Sequence, residues 1–521
     1  MTDDPTRPVP SRKPEPRKPA PGKAEPRRPE ARKSDGRRAE PRKSGPRLDR
    51  PRTRRVNQHD LRDIRARLRG TIYESVEPQA GIGGDLYSAP QIVEFCLDLG
   101  DVMLASGADV RSTEVAIVAV ATKWNLAPLE LDITGTAITL QYAPLGQPPL
   151  TKVRVINAEG SNLYRLNQVY VIVNDLVHGD LDMTDAVAGL VDVVKSPGRW
   201  APWIMDLGLG LLAASVTMQA GGTPLSAFGA LLVVLGVSLG GRWLVRRGIP
   251  VFFVSGSQAA VATIVGTLAV WSGALNAGGA AAMVAASVVV LLPHQVLVTW
   301  AQDAISGFRS MALSRGLIIG LSVAAIVCGV PAGVAITAGL DLEVDPTNIT
   351  LQTLPLWLLL VLSVLAAGAN CFVQGATARI IPIAMGASLL SASALYLFSG
   401  VLGMPRLAAT FIAATILGAL STVVAARLRT SPAVIAVPAF CGSLLPGIAV
   451  SSALLDFMAG VPGASISFVA AVLVALGIGA GLVLGNLIAT PGARRYLRRS
   501  KRVEVHSVNT DTRSLDVITG L

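Results

Sequence analysis

Three ionisable residues lie within or beside long apolar segments, where such groups are rare. Asp303 and Asp456 each end an apolar stretch, and His294 directly follows Pro293. A carboxylate at the centre of a membrane helix costs about 2.5–3.5 kcal/mol on insertion scales, so it is a functional candidate by default. Either carboxylate could bind the ammonium of a zwitterionic substrate or carry a proton, and His294 could exchange a proton or donate to a freed backbone carbonyl. The structural alternative places both carboxylates at helix ends near the lipid headgroups.

An internal repeat relates these residues to one another. Residues 291–307 and 444–460 share the pattern L-L-P-x9-D-x3-G. The two copies are five apolar segments apart, so they cross a membrane in opposite directions and form an inverted repeat. Helices interrupted by Pro or Gly at matching positions are typical of substrate sites in secondary transporters. The repeat therefore predicts a site near Pro293 and near Pro446 and Gly447.

Two carboxamides could hydrogen-bond a substrate hydroxyl. Asn370 and Gln374 are four residues apart at the end of another apolar segment, so they share one face of the expected helix. Hydrogen bonding between neighbouring helices is the alternative role. Both residues therefore join the candidate substrate and proton site.

The elements that must position these residues are apolar helices. Of the 521 residues, 51% are hydrophobic but only 5% are aromatic, and the mean hydropathy is +0.51, so small aliphatic residues dominate. Ten segments approach the roughly 20 residues that span about 30 Å of hydrocarbon. We predict a polytopic α-helical membrane protein with two inverted five-helix repeats, residues 199–345 and 346–492. The predicted spans lie at about 203–220, 225–244, 251–271, 279–300, 316–339, 354–373, 380–402, 407–425, 434–457 and 466–489.

The net charge of +11 comes entirely from an N-terminal tail. Residues 1–55 contain 19 Lys/Arg and 8 Asp/Glu, together with many prolines. A segment this charged and this poor in apolar residues cannot bury a core, so residues 1–85 are predicted to be a disordered Pro/Arg/Lys-rich tail. The tail is a solvated extension or a contact for anionic lipid, and nucleic acid is not expected as a partner.

Arginines occur on every second connection between the predicted spans, and a basic tail of residues 493–521 follows the last span. The positive-inside rule places these connections and both termini in the cytoplasm. The protein is therefore expected to be a multi-pass protein of the plasma membrane. The arginines are Arg242, Arg246, Arg247, Arg309, Arg315, Arg379, Arg427 and Arg429.

Residues 86–198 are predicted to form a small soluble cytoplasmic α/β domain, because their apolar residues are periodic and interrupted by charges. Helical spacing is expected in the first third of this domain, including a helix over 110–123. Alternating apolar residues then predict strands over 129–142 and 153–156. Two further helices are expected to complete the domain.

Three residues of this domain are candidates for coupling it to the membrane part. Gly107 lies in the turn between the first two predicted helices, and Arg111 and Glu114 follow at i,i+3 spacing. A surface ion pair between Arg111 and Glu114 is the simpler interpretation.

No motif for ATP-driven transport or for hydrolysis occurs. The sequence contains no Walker A loop, no G-x-S-x-G elbow and no H-E-x-x-H. Its four cysteines, Cys96, Cys328, Cys371 and Cys441, lack metal-ligand spacing. We therefore expect no catalytic residues, no metal site and no cofactor.

The segment around Gly107 resembles the bacterial threonine/serine exporter family. Residues 99–114 read LGDVMLASGADVRSTE and contain the S-G-A-x-x-R-x-x-E signature of that family. A cytoplasmic domain, ten spans and the Leu-Leu-Pro-Gly element at 444–447 also agree with it. The resemblance covers all but the first 85 or so residues and the last twenty. His294 departs from the family, which more often has Pro-Gly at this point, and this leaves the substrate range open.

The resemblance implies export of L-threonine and L-serine across the plasma membrane, driven by the proton motive force. We expect the two repeats to rock about the site near Pro293 and Pro446, which would give alternating access. The expected partners are a small amino acid, protons and membrane lipid. A stripe of Gly477, Gly481 and Gly485 could pack within one protomer or between protomers, which leaves a homo-oligomer open.

Two alternatives come from other functional classes. The α/β domain could be an enzyme that the spans only anchor, or the protein could be a passive channel or scaffold. An anchor requires one span rather than ten, which argues against the enzyme. A channel would differ from a coupled exporter because its flux would not respond to loss of the proton gradient.

Overall fold

The computed structural model describes residues 67–68, 71–74, 76, 87–144, 146–156, 160–196, 198–340, 354–444, 473–474 and 476–490. Three predicted site residues, Pro446, Gly447 and Asp456, lie outside these ranges. The same holds for residues 1–66 and for the predicted C-terminal tail.

Four helices and an antiparallel sheet come first along the described chain. The Asp109 carboxylate accepts a hydrogen bond from Ser112 N at 3.0 Å and so caps the second helix. The predicted helix over 110–123 is confirmed with those bounds. The prediction of two strands is wrong, because a turn divides residues 129–142 into two antiparallel strands, and the last strand begins three residues before its predicted start. The elements are α1 (Ala89–Ala105), α2 (Val110–Lys123), β1 (Leu129–Ile133), β2 (Ala137–Tyr142), β3 (Leu150–Val155), α3 (Leu163–His178) and α4 (Met183–Lys195), with sheet order β1-β2-β3.

One face of the sheet packs against α1. Ile138 and Leu140 on β2 are fully buried, and a side chain at Gly100 of α1 would collide with Ile138. Arg154 of β3 donates from NH2 to Glu94 Oε1 of α1 at 2.8 Å, so charged pairs close the edge of this layer. The buried core of these elements is continuous with that of the later helices.

Apolar helices make up the rest of the described chain. They are α5 (Pro202–Gln219), α6 (Pro224–Arg246), α7 (Val251–Trp271), α8 (Ala277–Val290), α9 (His294–Ser306), α10 (Arg309–Ala338), α11 (Leu356–Val373), α12 (Ile380–Tyr396), α13 (Arg406–Leu428), α14 (Pro432–Ser443) and α15 (Leu476–Thr490). A π-helical turn, Leu397–Val401, extends α12.

Six of these helices are long and apolar enough to cross a membrane: α6, α7, α10, α11, α12 with its π turn, and α13. The bent pair α8 and α9 would make a seventh span if it counts as one. In each of these six helices, only 28–44% of the most apolar 18-residue stretch is buried within the protein. The remaining apolar surface therefore requires lipid cover. The protein is therefore a polytopic helical membrane protein.

The fourth predicted span is not a continuous helix. α8 ends at Val290, and α9 begins at His294 after a bend of 57°. Pro293 cannot donate a backbone hydrogen bond, which explains why the helix breaks at this residue.

The start of the fifth span also differs from the prediction. The prediction counted Arg309 and Arg315 as charges on a loop, but both belong to α10, and the Arg315 side chain is only 2% exposed. Arg315 is therefore not evidence for orientation. A buried cation in a helix needs a partner, and its partner is described below.

Glycines allow several of these helices to approach backbone to backbone. Side chains at Gly481 and Gly485 of α15 would collide with the carbonyls of Phe411 and Thr415 on α13. The predicted close packing of this glycine stripe is therefore confirmed, and its packing partner belongs to the same chain. Gly329 of α10 approaches Gly256 of α7 in the same way.

We expect Gly329→Ala to lower the free energy of unfolding by about 1–3 kcal/mol, the usual cost of overpacking. The new methyl group would overlap the Gly256 carbonyl. Gly320→Ala is the matched control, because it lies on the same helix with open space around it. Thermal unfolding of the purified protein measures both changes, and equal Tm losses in the two variants would contradict the packing argument.

Candidate functional site

The loop between α1 and α2 inserts into the membrane helices. Gly107 adopts φ +92°, and the amide Nε2 of Gln295, in the first turn of α9, donates to its carbonyl at 2.8 Å. A side chain at Gly107 would overlap the Gln295 amide. Glycine is therefore required both by the backbone conformation and by the space available. We call residues 106–110 the docking loop.

Asp303 of α9 holds the end of this loop. Its Oδ1 accepts from the backbone N of Val110 at 3.0 Å, and its Oδ2 forms an ion pair with Arg315 of α10. Arg315 also donates to the Ala108 carbonyl at 3.0 Å. The side chains of Asp303 and Arg315 are 0% and 2% exposed. A carboxylate at the N-terminus of α2 interacts favourably with the helix dipole, which adds to the ion pair.

These contacts identify the protein partners of Asp303, which was predicted to bind the substrate or to carry a proton. Both Asp303 carboxylate oxygens are engaged, one by α2 and the other by Arg315. Sequence reasoning missed Arg315 as a partner because an arginine next to a predicted loop is usually counted as an interfacial charge. Its position twelve residues after Asp303, across a turn at Gly307, was the available signal.

A second group of polar contacts lies beside the docking loop. The Ser161 hydroxyl lies between the carboxamide oxygens of Gln295 and Gln374, in contact with each, and its single proton can be donated to one of them. The Gln374 carbonyl accepts from Leu163 N at 2.9 Å. The predicted residues Gly107 and Gln374 are thus brought together through Gln295 and Ser161, neither of which was predicted.

His294 and Asn370 each keep a buried polar atom without a partner. His294 hydrogen-bonds to the backbone of Val289 across the helix break, as one of its two predicted roles requires. Its Nε2 and the Asn370 Nδ2 are buried and have no hydrogen-bond partner within the part of the chain that the structure describes. The Asn370 side chain contacts the Cys441 thiol, which is a weak hydrogen-bond acceptor, and Asn370 lies one turn before Gln374 at the end of α11.

The helix break also leaves backbone donors available. The N-terminus of α9 has Pro293 at its cap and no side-chain cap from the described residues. The first N–H groups of a helix have no intrahelical acceptors, and together with the helix dipole they favour an anion. The break therefore combines backbone donors with the His294 side chain, while Asn370 lies one turn before Gln374, which shares the Ser161 hydroxyl with Gln295 of α9.

α3 connects the docking loop to the second half of the chain. Asn174 Nδ2 donates to the Arg429 carbonyl at 3.3 Å, and Thr430 hydrogen-bonds to Asn167. Tyr170 hydrogen-bonds to both Ser112 of α2 and Ser431 at the start of α14. Burial, with a smaller contribution from the Asp109 carboxylate, raises the pKa of Tyr170 to about 12, so this phenol stays protonated.

The other two coupling candidates lie elsewhere on α2. Arg111 NH1 and Glu114 Oε2 are 3.3 Å apart, and the Arg111 side chain is 48% exposed. This is the surface ion pair that the spacing predicts. Gly107, by contrast, is hydrogen-bonded to Gln295 of α9.

Comparison with known proteins identifies the family of this chain. The family model described as a threonine/serine exporter matches residues 94–337, from α1 into α10. A protein of Mycobacterium tuberculosis named "Probable threonine/serine exporter" is 30% identical over 418 residues, which is 77% of each chain. The chain belongs to the threonine/serine exporter family. The sequence resemblance around Gly107 is therefore confirmed.

A second member of the family agrees with the first. The "Threonine/serine exporter" of Corynebacterium glutamicum is 26% identical over 422 residues, covering 79% of this chain and 84% of its own. No solved structure matches.

Within the matched region, the docking loop, α9 and the start of α10 form one continuous set of contacts. Membership in an exporter family implies transport rather than enzymatic catalysis. Among the described residues, no group of His, Cys, Asp or Glu could hold a metal ion.

Proposed function

We propose that this protein exports threonine and serine across the plasma membrane, with the substrate bound at the break between α8 and α9. The proposal rests on the named relatives and on one structural observation. Two buried polar atoms, His294 Nε2 at the break and Asn370 Nδ2 on α11, make no hydrogen bond of ordinary geometry to the described residues. Buried polar groups are almost always hydrogen-bonded, so such atoms in a transporter are candidates for a ligand.

The chemistry of the break suits a small hydroxylated amino acid. The free N–H groups at the start of α9 favour a carboxylate, as the ends of half-helices do in other transporters. Asn370 Nδ2 can donate to the substrate hydroxyl. His294 is our candidate for the transported proton, since its ring has one engaged and one unpaired nitrogen.

The finer features of the mechanism are part of the same proposal. Ten spans in two inverted repeats, cytoplasmic termini and coupling to the proton motive force would allow alternating access. In this mechanism the docking loop holds α9 through Gln295 and Asp303, so any movement at the break is transmitted to the N-terminal helices. In the second repeat, Pro446, Gly447 and Asp456 are the proposed counterparts of Pro293, His294 and Asp303.

The test is the efflux of preloaded labelled threonine from cells with and without this protein, in the presence and absence of a protonophore. We expect efflux that depends on the protein and is abolished by the protonophore. Efflux that persists with the protonophore would favour a channel. No threonine or serine efflux above background would overturn the proposed substrates.

Asn370→Ala is expected to reduce efflux at least tenfold while changing the Tm little, because the contact of its side chain with the Cys441 thiol is weak and its Nδ2 makes no hydrogen bond of ordinary geometry to the described residues. Asn486→Ala is the matched control. The Asn486 Oδ1 accepts from Thr422 at 2.7 Å between α15 and α13, so its loss should lower stability and leave efflux per folded protein unchanged. The reverse result, with Asn370→Ala unstable and active, would exclude Asn370 from the substrate site.

A further inference from the structure

A charged cluster lies where α5 and α6 meet, outside the proposed substrate site. The Asp206 side chain is 11% exposed and forms an ion pair with Arg242, whose NH2 donates to Oδ2 at 2.6 Å. The Ser238 hydroxyl donates to Asp206 Oδ1 at 2.9 Å. The Asp206 charge is therefore neutralised within the protein.

The next turn of α6 adds two more cations. Arg246 is exposed, and no described carboxylate lies within ion-pair distance of it. Arg247 lies over the Trp243 ring, with its guanidinium carbon 4.7 Å from the ring centroid. This end of α6 thus carries three arginines, and among the described residues Asp206 is the one carboxylate paired with them, so it attracts anions.

A groove of about 390 Å³ opens beside this cluster between α5, α6 and α7. Its walls are mostly aliphatic, and the polar residues that line it lie on α6 and α7. Gln258 Nε2 is already occupied by the Val237 carbonyl at 2.7 Å. The lining includes Leu209, Val254, Leu291, Gln258, Arg242 and Arg246.

Aromatic residues indicate that this end lies at a membrane surface. Trp203 at the start of α5, Trp243 near the end of α6 and Phe253 at the start of α7 are 66%, 54% and 62% exposed. Exposed aromatic rings beside arginines are typical of the boundary between hydrocarbon and headgroups. The groove therefore runs from the headgroup level into the apolar region.

We propose that this groove binds an anionic phospholipid, with its phosphate at Arg242 and Arg246 and an acyl chain along Leu209, Val254 and Leu291. A basic pocket between membrane helices at the headgroup level suits an anionic headgroup. A small zwitterionic amino acid fits less well, because Asp206 and Gln258 are already paired and the remaining wall is aliphatic. Leu291 is also the last residue before the bend at Leu292 and Pro293, so the lipid would touch the helix break.

The test is native mass spectrometry of the full chain in detergent with added phosphatidylglycerol or phosphatidylcholine. We expect preferential retention of phosphatidylglycerol and an apparent Kd about fivefold weaker for Arg246→Gln, from the loss of one cation near the headgroup. Arg379→Gln is the matched control, because it removes an exposed arginine next to a different helix. Its affinity should equal that of the wild type.

A second variant guards against misfolding. Asp206→Asn combined with Arg242→Gln removes the ion pair without leaving a buried charge, and it should also weaken phosphatidylglycerol binding. Equal retention of the two lipids, or equal losses in Arg246→Gln and Arg379→Gln, would overturn the proposal. Displacement of phosphatidylglycerol by millimolar threonine would instead assign the groove to the amino acid and overturn it too.

Discussion

Arg315→Met is expected to lower the free energy of unfolding by about 3–5 kcal/mol, the cost of leaving one member of a buried ion pair without its partner. Asp303 would be left without its cation in a position with no exposed side-chain surface, so it must either hold an uncompensated charge or take up a proton. The Ala108 carbonyl in the docking loop would lose its donor as well. Denaturant or thermal unfolding of the purified full chain measures the change.

The double variant Asp303→Asn, Arg315→Met should recover most of this loss. It removes both charges, and the asparagine oxygen can still accept from Val110 N. Arg309→Met is the control, because this arginine is exposed at the start of the same helix, and its loss should cost less than about 0.5 kcal/mol. A double variant as unstable as Arg315→Met would show that the ion pair is not the source of the stability.

Efflux from the same double variant separates two roles of Asp303. If Asp303 carries the transported proton, the double variant will be folded and inactive. We expect it instead to export at close to the wild-type rate per folded protein, because both carboxylate oxygens are already engaged by the docking loop and Arg315. The contacts thus favour a role in holding the N-terminal helices to the membrane helices.

The sequence predicted local features well. Apolar periodicity predicted α2, a proline marked the position of the break before α9, and small-residue spacing predicted close packing of α15, although not its partner α13. Each of these depends on residues within one or two helical turns. The family signature around Gly107 also marked a region that turned out to contact the membrane helices.

The partners of the site residues could not be predicted in the same way. Gln295 contacts Gly107 across 188 residues, and Asp303 contacts Val110 across 193. Periodicity records which face of a helix is apolar but not which distant loop packs on that face. A carboxylate near the end of an apolar segment therefore looks the same whether it faces a substrate or an arginine of the next helix.

Asp206 is another charged residue whose partner could not be predicted from the sequence. It lies in the first predicted span and received no role, although an ionisable residue in a span is unusual. Its partner Arg242 was assigned to a loop, but it lies inside α6 one turn before the helix ends. Arg315 was missed because the start of α10 was placed seven residues too late, and Arg242 because it was counted with the loop arginines although the predicted span 225–244 contained it.

Gly107→Ala is expected to reduce efflux at least tenfold and to lower the free energy of unfolding by about 1–3 kcal/mol, the usual cost of a residue held in a sparsely populated conformation. The new methyl group faces a φ of +92° and would also overlap the Gln295 amide. The Gln295 side chain must then leave the Gly107 carbonyl, which releases the first turn of α9 from the docking loop.

Gly146→Ala separates these two effects. Gly146 has a φ of +75° in an exposed turn, and a side chain there would meet nothing within 4 Å. It therefore reports the backbone cost alone, and we expect a small stability loss with unchanged efflux. Efflux and unfolding should be measured on both variants in parallel. If Gly107→Ala lost stability but exported normally, the docking loop would be a structural contact that transport does not use. A selective loss of efflux would instead mean that the position of α9 at the break depends on the N-terminal helices.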